Sequence, residues 1–405
     1  LRPDLTENLR RLSKVGAVSL SVFLASCAAV PRTSFTAADE AKATVHGMGP
    51  DIRIWADASL ADLNKLMPIE RIAARETDHR FVYLALSGGG GDGAYGAGIL
   101  KGWAESGKRP PFDVVSGVST GALIAPFAFL GPQYDDRLQK LFTDGYAKNL
   151  LADIQPLNAI FGAGVFSNQH LRDLVNRNVD GRMLAAVAEE YRKGRVLLVL
   201  TTDLDAQRGV IWNMGAIADS GSPQALSLFR KVLVASASIP IVFPPTLIEA
   251  EAGGKHFREM HVDGAVTTPI FTLPDAMLLQ GAQAARARKG ADIYVIMNNK
   301  VDPDFKVVPD KTIEIAGRSY ASISKFQSRG TLFQTYRFAK ANGIGFHLTY
   351  IGKDQPEDGA TGFDTDYMRH IFQYGREKGR TGSFWQAAPE LPNVGKPAPV
   401  VATAR

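Results

Sequence analysis

The 405-residue chain has a single cysteine, Cys27, so no intrachain disulfide can form. It has no basic run with interleaved aromatics, which argues against a nucleic-acid surface despite a formal net charge of +5. No Gly-Lys-Ser or Gly-Lys-Thr is present, which excludes a phosphate-binding P-loop. No acidic loop has calcium-ligand spacing, and neither metal nor cofactor is expected. There are no repeats. The apolar stretch Val15 to Ala25 is too short to span a bilayer. What remains, 45% hydrophobic and 21% charged, is the composition of a globular chain long enough for one large α/β domain.

The stretch Val15–Ala25 follows Arg10, Arg11 and Lys14 and ends Leu24-Ala25-Ser26-Cys27. A positive n-region before a short apolar segment reads as a secretory leader rather than a membrane span. Its end resembles a bacterial lipobox. That resemblance implies a signal peptide over 1–26, lipid on Cys27 and, with Ala28 next, the outer membrane of the cell envelope. Residues 27–50 then read as anchor and tether, 51–79 as a helical extension capped near Asp57 or Ser59, and 80–300 as the core. Residues 301–405 would complete the same domain with helices and an edge strand.

Two stretches carry chemistry. Phe112 to Val115 leads into Gly117-Val118-Ser119-Thr120-Gly121 and then a helix-prone run, Ala122 to Leu130. Strand, tight turn and helix are what a nucleophile elbow requires, with Ser119 at a helix N-terminus. Upstream, Phe81 to Leu86 reads as a buried strand and runs into Ser87, Gly88, Gly89, Gly90, Gly91, Asp92 and Gly93, then a helix. Such a loop aims backbone N–H groups at an anion. Gly-x-Gly-x-x-Gly fits at several offsets, so a dinucleotide is weakly indicated. Asp113 starts a strand where a ribose ligand should end one. The oxyanion of an acyl-transfer intermediate suits the order of the two stretches best.

Other residues are less marked. Asp203 and Asp205 end a strand and read as loop-capping carboxylates. Ile239 to Leu247 could wall a greasy pocket or simply hold a loop. Asp263 sits before Gly264 at the end of an extended segment. The helical stretch 312–341 carries Tyr320, Phe326, Phe333, Tyr336 and Phe338 among basic residues. It could suit a membrane surface, and packing of its apolar side on the sheet is the simpler reading. His347 and His370 follow Asp263, so a Ser–acid–His triad is open in chain order, although both lie inside regular elements.

Ser87 to Tyr95, Gly117 to Gly121 and Asp263-Gly264-Ala265, in that order, resemble the patatin-like phospholipase family. Thr202-Asp203-Leu204 and Ala235 to Pro240 add to the likeness. The resemblance implies an α/β fold with a central, mostly parallel sheet and helices on both faces. It implies a metal-independent lipid acyl hydrolase with Ser119 as nucleophile and Asp263 as base. The backbone of Gly88 to Gly91 would hold the oxyanion, supported by Gly93, Gly117, Gly121 and Gly264. Substrates would be phospholipids or other acyl esters. The chain departs from the family at Asp92, where a basic residue is usual; an outward turn to cap the next helix would reconcile it. A binding lipoprotein with an idle dyad is the non-enzymatic alternative.

If the lipobox reading holds, Cys27→Ser moves the protein from the membrane fraction to the soluble one. A mature N-terminal peptide whose mass shows no acyl chain would remove the anchor.

Overall fold

The structure, a computed structural model, describes residues 32–67, 80–152, 165–272, 290–356 and 362–390. The leader-like segment and Cys27 lie outside the described residues. The strands are β1 (Thr44–Val45), β2 (Arg53–Trp55), β3 (Phe81–Leu86), β4 (Val114–Val118), β5 (Val196–Asp203), β6 (Arg208–Asn213), β7 (Thr246–Ala252), β8 (Lys255–Asp263), β9 (Ala291–Met297) and β10 (Gly345–Tyr350). The helices are α1 (Ala37–Glu40), α2 (Leu60–Leu66), α3 (Gly93–Glu105), α4 (Thr120–Leu130), α5 (Asp135–Thr143), α6 (Gln169–Asn178), α7 (Gly181–Arg192), α8 (Met214–Asp219), α9 (Ala225–Ser236), α10 (Thr312–Ala341) and α11 (Thr365–Thr381).

All strands join one sheet in the order β1-β7-β8-β5-β4-β3-β9-β10, with β6 on β5 and β2 on β6. From β10 to β5 every pairing is parallel. Parallel strands are buried on both faces, which is why β3, β4 and β5 read as continuous apolar runs. Their side chains alternate between two cores. Val82, Leu84, Leu86, Leu197 and Val199 face α3, α4, α9 and α11. Tyr83, Ala85, Leu198 and Leu200 face α2 and α10. The expected α/β sheet with helices on both faces is therefore present, with an antiparallel flank of β6, β7 and β8 added beside β5.

That flank sets the site. Leu198, Val199 and Leu200 pair with β6 on one side and β4 on the other. Thr201, Thr202 and Asp203 pair with β6 on one side and β8 on the other. So β4 and β8 share one edge of β5 and meet end to end: Val118 stands opposite Leu200 and Asp263 opposite Thr201.

Two expectations for the N-terminal part change. Residues 32–50 are packed on the domain rather than forming a loose tether. Phe35 stacks on Phe257 at 4.4 Å, β1 pairs with β7, and Arg32 grips Asp205 through two 2.7 Å bonds. Arg53–Trp55 is a strand paired antiparallel with β6, with Ile54 on one core and Trp55 on the other, and the helix that follows is capped by Ser59.

Helices α3 and α11 touch backbone to backbone through Gly98 and Gly102 on one and Gly375 and Gly379 on the other. A Cβ at Gly102 would lie 1.9 Å from the Arg376 carbonyl oxygen, and one at Gly375 2.4 Å from that of Tyr95. Gly317 in α10 has nothing within 4 Å of such an atom. Gly102→Ala is therefore expected to destabilise by about 1–3 kcal/mol, from overpacking. Gly317→Ala should instead stabilise by about 0.5–1 kcal/mol, from helix propensity. Denaturant midpoints that shift in the same direction would refute this account of the two glycines.

Candidate active site

Ser119 lies between β4 and α4 with φ 55° and ψ −124°, a backbone region costly for a side-chain-bearing residue, by about 1–3 kcal/mol. The surroundings over-determine that conformation. A Cβ at Gly117 would lie 2.3 Å from the Gly121 carbonyl oxygen, and one at Gly121 2.4 Å from that of Leu86, so both positions must be glycine. The Ser119 N–H donates to Ser236 Oγ at 3.0 Å. The Asp263 N–H donates to the Ser238 carbonyl at 2.9 Å. The C-terminal end of α9 and the residues just after it thus hold both by their backbones.

Ser119 Oγ donates to Asp263 Oδ2 at 2.6 Å, and Asp263 Oδ1 accepts from the Ala265 N–H at 2.8 Å. A Cβ at Gly264 would lie 2.5 Å from the Leu200 carbonyl oxygen, which accounts for Asp-Gly at the strand end. Asp263 is fully buried. Desolvation disfavours its charge and pushes its pKa up to about 7, against the lowering effect of the Ser119 and Ala265 hydrogen bonds. A carboxylate so placed is a much better base for a hydroxyl than one in water.

The glycine loop closes over the same point. A Cβ at Gly88 would meet Ser119 Cβ at 3.1 Å, and one at Gly89 the Asn298 carbonyl oxygen at 1.8 Å. Gly93 fits only because it lacks a side chain: a Cβ there would be 2.2 Å from Thr120 Oγ1. The Gly88 N–H is engaged, donating to the Pro269 carbonyl at 3.1 Å. Of the four N–H groups expected to face an oxyanion, that of Gly88 is therefore already occupied. Asn298 positions the loop. Its N–H donates to Ser87 Oγ, its side-chain amide to the Ser87 carbonyl, and its Oδ1 accepts from the Gly96 N–H.

Gly88, Gly89, Ser119 and Asp263 line a cleft of about 480 Å³ whose other wall comes from α10 and the loop before it. Tyr320 lies there, its hydroxyl buried with no hydrogen-bond partner among the described residues. Of the 239–247 run, Ile239 lines the cleft, whereas Phe243 is buried in the core. Asp92 also lines the cleft. It makes no side-chain cap to α3, contrary to expectation, and its Oδ1 accepts from Tyr367 Oη at 2.5 Å. The tight approach of the loop to Asn298 and Thr120 keeps Asp92 on the cleft side.

The histidines have other work. His347 bonds Asp292 at 2.9 Å and stacks on Tyr294, and His370 bonds Gln355 at 3.1 Å. Asp203 caps the β5–β6 turn through the Asp205 and Ala206 N–H groups, as its position suggests. Two groups among the described residues have metal-ligand proximity: His46, Glu251 and His256, and the buried Asp203, Glu259 and His261. The buried group already holds a cation, since Arg53 forks onto Glu259. Burial, then Glu259 and Asp203, push nearby Glu40 up to about 8.

A folded-state pKa of about 7 against an ordinary 3.8 means that ionising Asp263 opposes folding. Its contribution is most favourable below pH 4 and is lost as pH rises towards 7. Asp263→Asn, with no charge to desolvate, should therefore melt above wild type at neutral pH and approach it near pH 4. A melting curve showing the reverse order would mean that the aspartate is not desolvated as described.

A family model described as patatin-like phospholipase matches residues 84–274. No curated protein sequence matches the chain. Among solved structures, VipD from Legionella pneumophila is 13% identical, over 76% of this chain and 68% of that one, with a TM-score of 0.37. Human GIVD cytosolic phospholipase A2 is 12% identical, over 71% of this chain and 49% of that one, with a TM-score of 0.32. This chain therefore spans about half the length of the human protein. The matched segment, residues 84–274, contains the glycine loop, Ser119 and Asp263, and over that segment the chain is similar to the patatin-like phospholipase family.

Proposed function

We propose that the chain hydrolyses fatty-acyl esters of phospholipids or related lipids with Ser119 as nucleophile and Asp263 as base. The observation that carries this reading is the 2.6 Å hydrogen bond between a strained, elbow-mounted serine and a desolvated carboxylate, at the floor of an open cleft. Ser119 Oγ attacks the ester carbonyl carbon while its proton passes to Asp263. The carbonyl oxygen becomes an oxyanion facing the N–H groups of Gly89 to Gly91, each donor lowering the barrier by roughly 3 kcal/mol. The C–O bond to the alcohol breaks, and that alcohol takes the proton from Asp263. Water then attacks the acyl-serine, again giving its proton to Asp263, and the fatty acid leaves as Ser119 recovers its hydrogen. We further propose that the reaction takes place at the bacterial envelope, with the domain anchored through Cys27.

Asp92 favours a second reading. A carboxylate beside the glycine loop weakens the field that would hold an oxyanion, so the cleft could bind lipid without turning it over. Hydrolysis of a soluble short-chain ester and of phospholipid vesicles decides between the two. Ser119→Ala and Asp263→Asn should each cost on the order of 10³-fold or more in kcat. Chelators should have no effect. Because Asp263 must be ionised to accept the proton, kcat/KM should rise through about pH 7 and level off above it. A folded wild type as inert as both variants on both substrates would leave the binding reading standing.

A further inference from the structure

Seven large apolar side chains are exposed among the described residues, and five of them fall between 305 and 326: Phe305 (93%), Val307 (78%), Ile315 (47%), Ile323 (58%) and Phe326 (67%). Isolated exposed leucines or valines are ordinary on a protein surface; a concentration in one short segment calls for a partner. Helix α10 divides in two. Its C-terminal half packs on the sheet through Leu332, Tyr336 and Ala339. Its N-terminal half reaches that core through Tyr320, and on another side of it Ile315, Ile323 and Phe326 fall within one 100° arc of the helix at 3.6 residues per turn. The adjacent stripe, Arg318, Ser322 and Lys325, lines the cleft that contains Ser119. Arg318 and Lys325 both bond Asp304, which ties the loop carrying Phe305 and Val307 to the same part of the helix. Residues 300–329 hold six basic and four acidic side chains.

We infer that this segment is the surface by which the domain docks on an anionic phospholipid bilayer, with the cleft mouth facing the lipid. The inference rests on the lipid-hydrolase reading for its purpose but not for its physics. Apolar side chains flanked by cations gain from entering the acyl boundary and from the negative surface potential, and the second gain weakens with salt. A substrate lipid could then pass from the bilayer into the cleft without exposing its chains to water. The simpler expectation for 312–341, an apolar side packed on the sheet, holds for Tyr320 and the C-terminal half and leaves Ile315, Ile323 and Phe326 exposed.

The test uses the full chain with Cys27→Ser, so that no acyl anchor contributes and an introduced cysteine is the only thiol. A polarity-sensitive fluorophore at Ile323→Cys should shift to the blue on addition of phosphatidylcholine–phosphatidylglycerol vesicles, and less with phosphatidylcholine alone. The same probe at Glu189→Cys on α7 should not respond. Phe305→Ser, Val307→Ser and Ile323→Ser together should weaken cosedimentation with the mixed vesicles by at least about tenfold. Turnover of a soluble ester should stay at the wild-type rate, because none of the three lines the cleft. A probe at 323 that stays in water while the protein is vesicle-bound overturns the inference. So does a probe that shifts with protein concentration alone, which would make a second copy the occupant. Vesicle binding lost in the triple variant, in a protein inert towards every ester, would uphold the surface and remove the hydrolase.

Discussion

One edge of β5 organises this molecule. Two strands that run in opposite directions share it, and both end at one junction, between Leu200 and Thr201. The end of β4 delivers Ser119 and the end of β8 delivers Asp263. Their meeting distance is therefore set by backbone hydrogen bonds rather than by loops. A one-residue slip of β8 would turn Asp263 to the opposite face of the sheet. Gly264, pressed against Leu200 and Val118, leaves little room for such a slip.

The cost of the site is spread over its surroundings. The serine backbone is strained and the aspartate is desolvated, and both are unfavourable for stability. Several bonds from distant parts of the chain hold them: the Ser236 hydroxyl, the Ser238 carbonyl and the contacts of Gly117 and Gly121. Asn298 does the same for the glycine loop from the end of β9. Close backbone packing of α3 against α11 then fixes the helix that follows that loop.

Much of this was readable in the residues, and the line between read and unread is physical. Apolar runs, glycine turns and the elbow are local patterns, so β3, β4, β5 and the position of Ser119 could be marked in advance, whereas Asp263 stood out only through the family resemblance. Ser236 and Asn298 act across 117 and 211 residues of chain, and nothing local distinguishes them from other buried polar side chains. A polar residue ending an apolar strand was the available sign for Asn298. The engagement of Gly88 with Pro269 and the cleft-side position of Asp92 depend on how the loop is seated, which composition does not encode. Periodicity gave α10 an apolar side; it could not tell which half of that side has the sheet beneath it.

The grip of Arg32 on Asp205 sets a geometric bound. Asp205 follows the carboxyl end of β5, and Ser119 follows the carboxyl end of β4, so both lie at the same end of the parallel strands. Four residues separate Cys27 from Arg32, and the five Cα-to-Cα steps between them reach about 18 Å at most when fully extended. An acyl group on Cys27 would thus be leashed to the end of the domain that carries Ser119 by less than the thickness of a bilayer's hydrocarbon layer, about 30 Å. The domain could not orbit its anchor freely. The Ser119 end would sample the lipid surface at high effective concentration, and much of the orientational entropy of docking would already be lost before first contact.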